Sequence, residues 1–332
     1  MDTSVMITLG FLVFAIVMFA WEKIPLSITA MVVAVGLHLS GVLSAKEAFA
    51  GFVDPNVLLF MGMFVIGEAF FATGVAVGVG NVVHKFAKTE TSLLVAVMMI
   101  TGILSGFLSN TGTAAVLIPV VIGICKKSGF KQTKLLMPLV FAAAMGGNIS
   151  LIGAPGNMIA QAGLQQAGLG SFGFFDYGLV GLPILIVGTI FYATIGKRFL
   201  PDTPSHQPDG VFEGNDDYSH VPSWKKWTSA LVLILTVGAM IFEKQLGVKL
   251  YVSAWVGALV LVATNVISES AAVRSIDMKT IMLFAGSMAL GDAMVKTGTG
   301  SVIADIIVNS LGASPSPIVV LVVIFVLGVF MT

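Results

Sequence analysis

Apolar runs close to twenty residues long follow one another along almost the whole sequence, and a chain patterned this way has few structures open to it. The hydrocarbon layer of a bilayer is about 30 Å thick and takes about 20 helical residues to cross. Runs that meet or approach that length occupy 5–20, 24–43, 56–78, 135–160 with a break, 177–196, 228–242, 250–267 and 280–296. The composition agrees. Only 10% of the residues are charged and 57% are hydrophobic, whereas a soluble domain carries roughly 25% charged residues. The reading is an all-α polytopic membrane protein, which excludes cytosolic enzymes and nucleic-acid binders. Seventeen basic residues balance seventeen acidic ones, so no basic surplus points to nucleic acid as a partner. A single cysteine, Cys125, and four scattered histidines offer neither a disulfide framework nor a metal cage, and no cofactor is expected. Asp2 precedes the first run and no small-residue cleavage site follows it, so that run reads as a retained helix rather than a signal peptide.

The residues around Ser109-Asn110-Thr111 predict a re-entrant helical hairpin over 92–125. Its first arm, 93–108, is about 24 Å long as a helix, and its second, 114–124, only about 16 Å. The second reaches mid-bilayer and no further. Basic residues flank both outer ends (Lys85 and Lys88, then Lys126, Lys127, Lys131 and Lys134), so the hairpin is expected to enter from the cytoplasm. Counting spans from it puts thirteen of the seventeen Lys and Arg residues inside. The N-terminus is then outside and the polar stretch 200–227 is a cytoplasmic linker, in a plasma (inner) membrane protein.

The chain also repeats itself. Leu59-Phe60-x-Gly62 recurs as Leu283-Phe284-x-Gly286, Gly67-Glu68-Ala69 as Gly291-Asp292-Ala293, and Thr73-Gly74 as Thr297-Gly298, all at an offset of 224 residues. Five crossings and one hairpin separate the copies, and an odd count inverts the second. Inverted repeats around a midplane site characterise secondary transporters. Residues 1–199 form the first repeat and 228–332 an incomplete second one. Pro317–Thr332 matches only the first arm of a second hairpin, so a truncated second repeat, belonging to a longer protein, is expected.

At the hairpin tip, Ser109, Asn110, Thr111 and Thr113 place four hydrogen-bonding side chains where water is scarce, and unsatisfied groups there cost several kcal/mol each. The first arm presents carbonyls, which suit a cation; the second presents free N–H groups, which suit an anion. Asn110 has an amide donor and an acceptor and can touch both ions. Ser105, one turn earlier, can direct its hydroxyl to the same cation. A second break, Gly146-Gly147-Asn148-Ile149-Ser150-Leu151-Ile152-Gly153-Ala154-Pro155-Gly156-Asn157, interrupts the 135–160 run at its middle. Carbonyls freed near Gly153, helped by Asn148 or Ser150, would ligate a hard monovalent cation such as Na⁺.

The Ser109-Asn110-Thr111 tip together with the Gly153-Ala154-Pro155-Gly156-Asn157 break resembles the divalent anion:sodium symporter family, the SLC13-type and citrate-transporter-like permeases. That resemblance implies homodimers working by an elevator motion. It also implies a sodium site at Ser105, Ser109, Asn110 and Gly153, with Asn148 added here, and substrate contacts from Asn110 and Thr111. Thr113, Ala154 and Pro155 complete the expected substrate set. The family's break often has a hydroxyl residue where Ala154 stands and a second proline where Gly156 stands, which shifts the expectation away from ordinary C4-dicarboxylates. Glu68 and Asp292 fall midway along their spans at the repeat offset, and intramembrane acids are functional by default, so both are candidate coupling groups. The expected function is sodium-coupled uptake of small dianions of the dicarboxylate, tricarboxylate or sulfate class. The alternative is a proton-coupled or exchange-type permease for citrate-like or arsenite-type anions. An intramembrane enzyme would need a nucleophile–base pair or metal cluster at bilayer depth, and the sequence has none in view.

Overall fold

The computed structural model describes residues 2–21, 23–76, 78, 89–128, 130–200, 218–303 and isolated positions after 303. Most of the expected linker and of the expected second-hairpin arm, Pro317–Thr332, lies outside the described residues. Among those described, helices account for nearly all regular structure and there are no strands. The protein is an all-α polytopic membrane protein. Among the described residues, four helices are long and apolar enough to cross a bilayer, and six shorter apolar ones accompany them.

The chain packs as two units. One comprises Met1–Val57, Ala162–Leu169 and Met278–Thr332, and the other Leu58–Gln161 and Gly170–Asp277. In the first, α1 (Thr3–Trp21), α2 (Leu26–Leu39), the short α3 (Ala45–Ala48) and α14 (Met278–Thr297) enclose a small core of Ala15, Val33, Leu37, Leu43 and Ala289. Helix α1 leaves most of its circumference uncovered, as a lipid-facing span does. Ser44 caps α3 in a reciprocal box with Glu47, and Lys296 of α14 closes an ion pair to Glu47 at 2.8 Å.

The second unit holds most of α4 (Pro55–Ala72), α5 (Glu90–Ser105), α6 (Asn110–Ser128), α7 (Thr133–Gly146), the start of α8 (Pro155–Gln166), α9 (Gly178–Thr194), α10 (Ser223–Ile241), the one-turn α11 (Glu243–Leu246), α12 (Leu250–Ala263) and α13 (Glu269–Ser275). Its main core joins α5, α6, α7 and α9 through Leu93, Met98, Leu117, Leu139 and Leu185.

The hairpin differs from expectation in its second arm. Helix α6 begins at Asn110 itself and runs nineteen residues to Ser128, about 28 Å, where eleven residues were expected. Ser109 is the reason at one end. Its hydroxyl accepts the Gly112 N–H at 3.1 Å, so the polar tip residues wind into the first helical turn instead of remaining a loop. At the other end the lysines do not stop the helix, since lysine is a good helix former.

The sequence repeat extends to backbone geometry. Helices α2 and α12 have the same length at the offset of 224. Left-handed residues recur at that spacing, Gly41 (φ 77°) with Asn265 (φ 56°) and Gly74 (φ 75°) with Gly298 (φ 72°). Thr73 and Thr297 both return their hydroxyls to a carbonyl four residues back at 2.7 Å. Ser44 and Ser268 both cap helices. The packing is reciprocal too. In one unit Gly62 of α4 lies against Ala254 of α12; in the other Gly286 of α14 lies against Ala30 of α2. Each unit therefore contains one helix pair drawn from both repeats.

Candidate functional site

Helix α7 ends at Gly146 and α8 begins at Pro155, leaving eight residues of irregular chain between the two helices. Proline suits the first position of α8 because that N–H has no intrahelical acceptor in any case. Such a break frees carbonyls that need donors. Side chains supply them. Ser150 donates to the Gly106 carbonyl, tying the break to the hairpin turn. The Asn157 amide donates to Gly147 O and Ser150 O, both at 2.9 Å, and Tyr177 donates to Asn157 O at 2.7 Å. Leu151 N–H reaches Phe174 O at 2.9 Å.

Close approach of backbones makes room for this. A Cβ at Gly146 would overlap the Gly102 backbone of α5, and one at Gly181 would overlap the Asn148 carbonyl. Only glycine permits either crossing.

The hairpin tip meets the break directly. Ser105 is fully buried at the end of α5 and donates to Ala143 O at 2.8 Å. The Asn110 side-chain amide lies 2.7 Å from Ser105 Oγ, 3.2 Å from Ala143 O and 3.1 Å from Gly153 O. With its nitrogen inward, Asn110 donates to all three, and the network is satisfied without any ion. With its oxygen inward, Asn110 Oδ1 accepts from the Ser105 hydroxyl at 2.7 Å but faces the Ala143 and Gly153 carbonyl oxygens with no donor between them. That arrangement is repulsive alone and attractive around a small cation. A set of hydroxyl, amide and carbonyl oxygens suits a hard ion and not a soft transition metal. On the other side of the same residue, the first amides of α6 point away from their helix, and those of Asn110 and Thr111 have no acceptor among the described residues. Asn110 thus stands between a carbonyl-lined corner and a helix N-terminus.

The expected site residues divide accordingly. Ser105, Asn110 and Gly153 come together. Ser109 spends its hydroxyl on the helix cap. Thr111 and Pro155 are exposed and Ala154 is half-buried, whereas Thr113 is fully buried with its hydroxyl unpartnered among the described residues. Asn148 is exposed and its amide reaches back to Ala144 O at 3.5 Å, sharing no hydrogen bond with the cluster. Glu68 and Asp292 are both half-buried, one in each unit. Asn157 and the Ala143 carbonyl were not among the sequence candidates. Asn157 could have been found from its place two residues after a helix-opening proline, which turns its amide back toward the break; nothing in the sequence singles out Ala143.

The model of one protein family, described as citrate transporter, matches residues 16–332. The chain belongs to the citrate transporter family. Its curated relatives include the uncharacterized transporter YfbS of Escherichia coli (strain K12), 34% identical over 63% of this chain and 35% of the relative. An uncharacterized transporter of Haemophilus influenzae is 25% identical over 90% of this chain and 67% of that protein. One of Methanocaldococcus jannaschii is 24% identical over 94% and 71%. The match to YfbS thus spans about a third of that relative's length. These relatives are named as transporters.

Proposed function

We propose that this member of the citrate transporter family is a secondary active transporter that couples sodium entry to uptake of a small dianion. What carries the reading is the double role open to Asn110, which borders three converging neutral oxygens on one side and the free N–H groups of α6 on the other. Ser105, Asn110, Gly153 and the Ala143 carbonyl hold the cation, with Ser109 and Asn148 at the margin. The ion's charge and the α6 N-terminus then complete an anion site lined by Asn110, Thr111, Thr113, Ala154 and Pro155. No covalent step is needed: binding of one ion raises affinity for the other, and the loaded hairpin and break move together between faces. The tip is re-entrant in this reading, its depth set by contact with the break rather than by the length of α6.

Inverted repeats, an elevator motion, a homodimer, an external N-terminus and a cytoplasmic 200–227 segment belong to the same proposal, supported by the repeat-related helix pairs and the distribution of basic residues. The family description supports di- or tricarboxylates within the dianion class. A second reading, proton coupling or exchange, is favoured by the acids Glu68 and Asp292 at equivalent positions of the two repeats.

Uptake by the whole protein in proteoliposomes, with labelled citrate, succinate and sulfate and with or without a sodium gradient, tests both readings. Sodium-driven uptake of one of these that is abolished in Asn110→Ala supports the first. Uptake indifferent to sodium but driven by a pH gradient, with its pH dependence lost in Glu68→Gln or Asp292→Asn, replaces it with the second.

A further inference from the structure

Four glycines, Gly146, Gly147, Gly153 and Gly156, lie between the last residue of α7 and the first turn of α8, and the space beside each differs. A Cβ at Gly146 would enter the Gly102 backbone, one at Gly153 would come within 2.5 Å of the Gly147 carbonyl oxygen, and one at Gly156 would meet nothing within 4 Å. Gly147 is different again. The three atoms nearest to a Cβ there all belong to the Asn110 amide, Oδ1 at 2.5 Å, Nδ2 at 2.7 Å and Cγ at 3.0 Å. The backbone does not call for glycine at this position, since φ −57° and ψ −19° are right-handed values that ordinary residues adopt. What the missing side chain supplies is room for the end of Asn110.

Gly147 is itself tied in place. Its N–H donates to Ala143 O at 3.1 Å, its carbonyl accepts from the Asn157 amide at 2.9 Å, and Gly153 packs over that carbonyl. A methyl group here would therefore displace the Asn110 amide rather than the backbone that carries it. The amide atom it would approach most closely is the one that faces Ser105 Oγ, Ala143 O and Gly153 O. Given the sodium site proposed above, we propose that Gly147 is a specificity-determining residue of the cation corner, fixing how large an ion Asn110 can close around. A side chain at this position takes room from the corner. Selectivity between hard cations follows the size of the cavity that holds them, so a cation smaller than sodium should lose less.

The test is a thermal-shift titration of the whole purified protein with NaCl and with LiCl, ionic strength being held constant with choline chloride. Gly147→Ala should raise the sodium midpoint by about tenfold, the size usual for groups that orient a ligand, and raise the lithium midpoint less. Gly123→Ala, in α6 with open space beside it, should leave both midpoints unchanged. A general loosening of the fold weakens both ions alike, so the absence of any relative gain for lithium overturns the proposal. Failure of Gly147→Ala to fold overturns it too, because the clash is then with the fold and not with a movable amide. In an Asn110→Ala background Gly147→Ala should have no further effect, since the amide it displaces is gone; an added loss there places its action elsewhere and refutes the assignment. A sodium response that is absent from the unaltered protein, or that survives in Asn110→Ala alone, refutes the cation corner itself rather than the part of Gly147 in it.

Discussion

The bundle of α1, α2 and α14 and the hairpin-and-break region of α5 to α8 are both apolar helices pressed together through glycines, yet they are held by different forces. In the bundle α1, α2 and α14 are unbroken, so backbone groups between their end turns are satisfied within each helix and the core needs only Val33, Leu37 and their neighbours. In the hairpin-and-break region the helices are interrupted twice, and Ser105, Ser150, Asn157 and Tyr177 donate to carbonyls there. The lesson is that a break in lipid is stabilised by a specific set of donors, and Asn110 is the member of that set with two workable orientations. A residue whose amide is satisfied facing one way and needs a cation facing the other is suited to sense an ion.

The largest effect should come from forcing the backbones apart. Gly146→Val places methyl groups in the Gly102 backbone and should cost about 3 kcal/mol or more, seen as loss of monodisperse protein on size-exclusion chromatography. Gly10→Val in α1, where a Cβ meets nothing within 4 Å, should leave recovery unchanged. If both behave alike, the contrast between the two regions is wrong. Next, Asn157→Ala removes two donated hydrogen bonds and strands two buried carbonyls, at about 2–4 kcal/mol. Ser44→Ala, which removes an exposed helix cap in the bundle, should cost only about 1 kcal/mol. Thermal unfolding of the two in the same detergent ranks them.

A smaller and more specific effect is expected at Ser105. Ser105→Ala should lower the melting temperature modestly and remove most of the rise that sodium produces in the unaltered protein; a sodium response that survives intact would take Ser105 out of the cation corner. The smallest effect belongs to Glu47. Its hydrogen bonds to Lys296 and to Ser44 hold its carboxyl at about 2, below the ordinary 4.5. A depressed carboxylate stabilises the folded state above its ordinary value and loses that contribution as pH falls through the folded one. The stability difference between the unaltered protein and Glu47→Gln should therefore be constant above about pH 4.5 and shrink between there and about pH 2. A difference that grows on acidification would reverse the sign.

Much of this was legible in the sequence. The apolar helices, the turn before Asn110 and the break before Pro155 follow from patterns of period and polarity, and the offset of 224 recurs in the left-handed residues and in the Gly62–Ala254 and Gly286–Ala30 contacts. Of the expected site residues, Ser105, Asn110 and Gly153, singled out by their place at chain breaks and by the family resemblance, lie together in the structure. Asn148 stood out for the same reason but faces outward, because residue type at a break says nothing about rotation. The length of α6 was missed since the Ser109 cap, a local hydrogen bond, decides whether four polar residues are loop or first turn.

Sequence alone determined that this protein lives in a bilayer and where its helices fail, because apolar length and the lack of backbone donors are local properties. Which carbonyls meet at Asn110 was decided only by the tertiary structure. Ala143 and Gly153 carry no chemical mark of their own, and a backbone oxygen becomes a ligand only when the fold turns it toward its neighbours.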